Sequence, residues 1–271
     1  MITPKIKQLF MPLMPLVKGK PDFLMVGVQR AATTSLYQYL IQHPQIIVSH
    51  PHRETYYFNV AENYQKGYGW YIKHFPNKVK KGDRLTFECS PSYLWDADAP
   101  ERIYNELGPI KLIVILRNPV DRAYSAWQMY RSYQQLSHLQ DRADYRSFSQ
   151  AIAEELGEHP STTSYPYGYL SRGHYAQQLE NYYRYFKPAQ ILILEFSDLI
   201  DNLASNLNQL CDFLNIDPFE ADQLTKLSQQ KFASAPYRQT PEDSEILDRL
   251  NAYFVPFNQS LYHLLGKSYG W

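Results

Sequence analysis

Cysteine is nearly absent from this chain. Only Cys89 and Cys211 occur, too few for a disulfide framework, so a packed core must hold the fold. Both lie in apolar segments and are expected to be buried and reduced, which fits a reducing compartment. A dominant charge is missing as well. Lys+Arg and Asp+Glu each number 27, for a formal net charge of zero. That balance argues against the broad basic footprint of a nucleic-acid binder and leaves room for a local basic pocket. No stretch reaches the about 18 uninterrupted apolar residues that a membrane-spanning helix requires. Residues 1–20 carry apolar side chains, but Pro4, Pro12 and Pro15 interrupt them and no small-residue cleavage site is seen. The segment therefore reads as a leader ahead of one domain, 21–271, rather than as a signal peptide. The expectation is a cytoplasmic protein with no integral membrane segment.

Glycine is sparse too, at 11 residues, while tyrosine is abundant at 24. Tyrosine joins an apolar ring to a polar tip and suits surfaces that meet sugars or other mixed ligands. One of the few glycines opens the most informative stretch. Phe23 to Val28 is an apolar run long enough for a buried strand. Gly27 to Thr34 is a turn of mostly small residues, and Ser35 to Gln42 places Leu36, Tyr37, Leu40 and Ile41 at helical spacing. A strand, a tight loop and a helix present backbone N–H groups at a helix N-terminus, where anions and phosphate bind. Thr33 or Thr34 is expected to cap that helix and offer a hydroxyl to the same anion. The loop departs from the ATP-binding pattern G-x-x-x-x-G-K-[ST]: Ala32 stands at its second glycine, Thr33 at its lysine, and its one cation, Arg30, comes earlier. An anion that needs a cation but no magnesium would suit it.

Further along, Pro44 to Val48 and Arg84 to Glu88 read as short strands. Ala61 to Phe75 reads as helix interrupted at Gly67 and Gly69, and Ala97 to Leu107 as helix. Lys111 to Leu116 is continuously apolar after its first residue, as a central parallel strand buried on both faces should be. Arg117 stands at its end. Asn118 and Pro119 then fit the cap and first position of a helix whose inward stripe is Val120, Ala123, Tyr124, Trp127 and Tyr130. Arg117 and Ser125 are expected to face the crevice beyond the strand ends. Phe148 to Leu156, Tyr175 to Phe186 and Leu203 to Leu214 read as helices, and Ile191 to Leu194 as a buried strand. Ser228 to Pro241 reads as loop, and Glu245 to Phe254 and Gln259 to Leu265 as two closing helices. The pattern predicts one α/β domain with a mostly parallel central sheet flanked by helices.

An anion loop with Arg30, a strand end with Arg117 and then Ser125, and an acid at Glu54 call for one ligand with two separated anionic groups. At these residues the chain resembles the sulfotransferases that use 3′-phosphoadenosine 5′-phosphosulfate (PAPS), above all the heparan sulfate type and its bacterial relatives. Gly27-Val28-Gln29-Arg30-Ala31-Ala32-Thr33-Thr34-Ser35-Leu36 is similar to that family's 5′-phosphosulfate loop. Leu116 to Ser125 (LRNPVDRAYS) is similar to its 3′-phosphate segment. Arg53-Glu54-Thr55-Tyr56-Tyr57-Phe58 is similar to the segment that carries its catalytic glutamate. The resemblance extends from Phe23 to Trp271 and implies a P-loop-like three-layer fold. It implies that Gln29, Arg30, Ala31, Ala32, Thr33, Thr34 and Ser35 hold the 5′ end, and that Arg117 and Ser125, with Arg238, hold the 3′-phosphate. It further implies that Glu54 is the general base and Arg30 the cation at the leaving group, that no metal is required, and that the acceptor is a hydroxyl or amine of a glycan-like molecule.

The chain also departs from the family's pattern. Arg30 replaces the usual lysine, which keeps the charge but not a readily donated proton. Ala32 replaces the usual glycine, a replacement that suits a negative φ. Cys89 follows Glu88 where the glycosaminoglycan enzymes have lysine, and their paired C-terminal cysteines are absent. His50 and His52 are alternative bases ranked below Glu54. Two other functions stand beside this one: a P-loop kinase-like phosphotransferase, which would want a loop lysine and an acidic magnesium ligand, and a binding module that has lost its chemistry. Oligomeric state is not legible.

Overall fold

The computed structural model describes residues 13–49, 54–161, 166–230 and 240–271. Four strands form its sheet: β1 (Phe23–Gly27), β2 (Phe87–Cys89), β3 (Lys111–Leu116) and β4 (Ile191–Glu195). Their order is β2-β1-β3-β4 and every pair is parallel. Parallel neighbours need crossover connections, and those connections put helices on the faces of the sheet. The apolar runs follow from that burial. Phe23 to Val26 and Leu112 to Leu116 are all 0% exposed, and each large apolar side chain so buried contributes roughly 1.5–3 kcal/mol. Phe23 stacks on its register partner Phe87, with ring centroids 4.7 Å apart.

Seven helices matter for the site: α1 (Thr33–Leu40), α2 (Ala99–Leu107), α3 (Pro119–Ser132), α4 (Phe148–Glu155), α5 (Tyr175–Tyr183), α6 (Leu203–Leu214) and α7 (Pro241–Leu265). The α3 start is as the sequence predicts. Asn118 Oδ1 accepts the N–H groups of Val120 and Asp121, at 2.9 and 3.4 Å, and Pro119 takes the first helical position. All five residues of its expected inward stripe are buried. With α4, Tyr167 to Leu170 and the first half of α7, α3 builds a second apolar cluster apart from the one around the sheet. Tyr124 ties the two ends of that cluster together by donating to Asp243 Oδ2 at 3.0 Å.

Several expectations are corrected. Pro44 to Val48 is no strand. It makes one bridge, Ile46 to Leu85, because it lies past the edge strand β2 and turns away through His43. The two closing helices are one, α7, with Pro256 inside it. Buried Phe254, Asn258 and Leu261 keep one face packed across the proline, which offsets the hydrogen bond that a proline forfeits. Helix α1 begins two residues before Ser35. The break expected at Gly67 (φ 78°) is present, but Gly69, also expected to interrupt, lies inside the short helix Tyr68–Ile72. Ala221–Gln229 forms a further helix, whose last two residues overrun the start of the loop expected from Ser228. Both cysteines are free and buried, and no helix among the described residues is long and apolar enough to cross a membrane.

The turn after α1 carries a pH-sensitive contact. His43 Nδ1 accepts the Gln45 N–H at 3.2 Å, so Nε2 holds the proton and donates to Asp217 O at 2.9 Å. Burial holds the pKa of His43 below the ordinary 6.5. The unfolded chain therefore takes up this proton first, and the ring's contribution to stability is present above the ordinary histidine value and lost as pH falls below it. The unfolding midpoint is expected to drop on mild acidification and to drop less in His43→Gln. An identical pH slope in the variant would show that the ring is not coupled to folding.

Candidate active site

The site grows from the end of β1. Gly27 is needed there because a Cβ would lie 2.8 Å from Leu94 Cβ. Pairing with β3 continues one residue further, through Val28 N–H to Ile115 O at 3.0 Å. The chain then turns into α1 over Gln29 to Ala32, with Arg30 at φ 73° and Ala32 at φ 57°. Ala32 thus occupies the left-handed region in place of the negative φ expected from its side chain, at a cost of about 1–2 kcal/mol. Ala32 is also the N-cap, without a side-chain bond. Thr33 and Thr34, expected as caps, are the first helical residues instead. Their φ is helical, so the cap position falls on the residue before them.

Two segments far apart in sequence meet at Arg30. Its Nε–H donates to Ser125 Oγ at 2.9 Å, and Arg117 Nη1 donates to Arg30 O at 2.8 Å. Arg117 is itself braced. Its guanidinium lies 4.4 Å from the Phe196 ring centre, and its carbonyl accepts the Tyr175 hydroxyl at 2.8 Å. Gln29 Nε2 donates to the Tyr130 hydroxyl at 3.0 Å. Ser125 is only 1% exposed. The expectation that Ser125 and Arg117 face the crevice is refined: Ser125 meets the Arg30 side chain and Arg117 its carbonyl, and neither lines the cavity at Arg30.

In front of Arg30 is a cavity of 720 Å³ beyond the C-terminal end of β1. Gln29, Arg30, Thr33, Thr34 and Glu54 form part of its wall, whereas Ala31 and Ser35 are buried beneath it. The Glu54 carboxylate accepts the Tyr56 hydroxyl. The following residue is pinned from below. Glu88 Oε1 accepts the Thr55 N–H at 3.0 Å and the hydroxyls of Thr55, Ser90 and Tyr93 at 2.6, 2.6 and 2.8 Å. Bonds to a charged acceptor are worth about 1.5–3 kcal/mol each, so Thr55 is a firm anchor for its neighbour. Burial pushes the Tyr133 hydroxyl up, and Arg30 and Glu54 act on it with opposite signs. Tyr56, Asn59, Asn63, Trp95, Arg142 and Arg172 complete much of the lining. Of these only Tyr56 lies in a recognised segment, next but one to Glu54; for the others the high tyrosine content is no guide. His50, His52, Arg53 and Arg238 lie outside the described residues. A helix N-terminus, a guanidinium and a carboxylate around one cavity can seat an anion and accept a proton from a hydroxyl.

Comparison with known proteins gives a consistent picture. The sulfotransferase domain family matches residues 20–250. The chain is 29% identical over 275 residues to the mouse heparan sulfate glucosamine 3-O-sulfotransferase 5, covering 94% of this chain and 75% of that protein. It is 30% identical over 267 residues to the mouse bifunctional heparan sulfate N-deacetylase/N-sulfotransferase 4, where it covers 91% of itself but spans only 30% of that protein. Among solved structures, a sulfotransferase from Alicyclobacillus acidocaldarius superposes with a TM-score of 0.70 at 25% identity, covering 92% of this chain and 97% of the other.

The left-handed Ala32 yields a stability prediction. Ala32→Gly removes the Cβ that the positive φ opposes, less the extra freedom of glycine in the unfolded chain. The variant is expected to gain roughly 0.5–1 kcal/mol, seen as a thermal midpoint higher by about 2 °C. A lower midpoint would mean that the loop is not strained at this position.

Proposed function

The chain belongs to the sulfotransferase domain family and is on that ground a PAPS-dependent sulfotransferase; from that premise we propose how its own residues divide the work. Bound PAPS supplies the sulfonate group. The first turn of α1, with the hydroxyls of Thr33 and Thr34, holds the 5′ end. The fit rests on the loop itself: two left-handed residues turn it tightly enough to bring the helix N-terminus and Arg30 onto the same cavity. Backbone N–H groups of a first helical turn lack intrahelical partners and face such an anion. The side chains of Arg117 and Ser125, which bond to Arg30 and do not line this cavity, turn from Arg30 to hold the 3′-phosphate, and Arg238 assists.

Glu54 is the general base. It takes the proton of an acceptor hydroxyl as that oxygen bonds to sulfur, and the bond from sulfur to the bridging phosphate oxygen breaks. Arg30 stays protonated and neutralises the charge that gathers on the leaving phosphate. The single observation that supports this assignment is the shared cavity, whose lining includes Arg30, Glu54 and the first helical residues Thr33 and Thr34. The acceptor is a hydroxyl or amine of a glycan, a reading supported by the two heparan sulfate relatives and by the tyrosine-rich lining. A cytoplasmic location belongs to the same reading and is supported by the two free, buried cysteines.

Transfer of labelled sulfonate from PAPS to a panel of glycans tests the activity. Glu54→Gln is expected to lower kcat by about 10²–10⁴-fold while calorimetric binding of 3′-phosphoadenosine 5′-phosphate (PAP) is retained. Intact turnover in Glu54→Gln would remove it as the base. Arg117→Ala should weaken PAP about tenfold or more. Unchanged affinity would place the 3′-phosphate elsewhere.

A further inference from the structure

Trp95 stands where three cavities meet. It belongs to the wall of the 720 Å³ cavity, of a 440 Å³ cavity that extends to Tyr253, and of a 380 Å³ cavity that extends to Asn181. The first two also share Pro166, and the first and third share Asp96. Among the described residues, the cavity that holds Glu54 and two further cavities thus adjoin at the indole.

The indole does not serve the core, since it belongs to neither apolar cluster. It is nonetheless held still. Its Nε1–H donates to Ser171 Oγ at 3.0 Å, and the Arg172 guanidinium lies 4.0 Å from the ring centre. Gly168, at φ 63°, comes so close that a Cβ there would sit 3.0 Å from Trp95 Cζ2. Arg172 is in turn fixed, donating to Tyr167 O at 3.0 Å and to Ser92 Oγ at 3.3 Å. An aromatic ring immobilised before binding adds contact area at little ordering cost. Asp96 and Arg172, both on the cavity wall beside it, supply one acceptor and one donor. The Arg172 guanidinium covers one face of the indole; the opposite face, with these polar groups nearby, suits a ring with apolar C–H bonds on its face and hydroxyls at its rim.

We propose that Trp95 is a specificity-determining platform for an extended acceptor: while one hydroxyl lies at Glu54, a further sugar ring of the same chain packs on the indole. This deepens the sulfotransferase reading and rests on it. It selects an oligomeric acceptor over a single small molecule.

The test measures KM and kcat with heparan sulfate oligosaccharides from disaccharide to octasaccharide, for the wild type, Trp95→Ala and Trp95→Phe. The wild type should favour the longer chains. In Trp95→Ala the preference for octasaccharide over disaccharide should shrink about tenfold, through KM rather than kcat. Trp95→Phe keeps a ring face but loses the N–H, should fall between, and carries the same test if the alanine variant does not fold. PAP affinity by calorimetry should be equal in all three. A length preference that survives Trp95→Ala, or none in the wild type, overturns the platform while leaving the sulfotransferase intact. A wild type that binds PAP yet sulfates none of these chains overturns the glycan-acceptor reading, and the platform with it.

Discussion

Between β1 and β3, Leu24 stands opposite Leu112 and Met25 opposite Ile113, and the pairing runs on past the strand through Val28 N–H to Ile115 O. That register brings two loops to one edge of the sheet. Parallel strands end together, so their following helices start together, and ligands gather in the crevice between. A slip by one residue would turn every side chain of a strand to the opposite face. It would also carry Arg117 away from the Arg30 carbonyl. The contact of Arg30 with Ser125 and Arg117 is in this sense a reading of sheet register.

The other half of the site depends on Glu88. This carboxylate is 3% exposed at the middle of β2 and gathers four donors on one oxygen. Through Thr55 it fixes the segment that carries Glu54 against the sheet edge. Burying a carboxylate is expensive without such bonds, and here they also immobilise a neighbour. Burial and Glu88 together push the Tyr71 and Tyr93 hydroxyls well up, which keeps both neutral, and the Tyr93 hydroxyl donates to Glu88. The sheet thus positions the loop before α1 directly and the Glu54 segment at one remove.

Much of this was legible beforehand. The apolar runs of β1 and β3, the Asn118-Pro119 start of α3 and the strand, tight loop and helix around Gly27 to Thr34 all rest on local rules of periodicity, capping and turn chemistry. What misled was equally local. Pro256 argued for two helices because propensity ignores the packed face that carries α7 across it. Ala32 argued for a negative φ because a Cβ disfavours the left-handed region, yet the strand end at Gly27 and the start of α1 leave the chain no other way to turn. Pro44 to Val48 has strand composition but lies where the sheet offers it a single bridge.

By itself, the sequence determined the parallel α/β architecture, the family, and which loop, strand end and acid to examine, since each is written in consecutive residues with a spacing. Only the tertiary structure decided that Ser125 and Arg117 lean on Arg30, that Glu88 anchors the residue after Glu54, and that Trp95 stands between cavities. Those are contacts between residues far apart in the chain. They depend on sheet register and loop closure, for which no short stretch of sequence carries a signal.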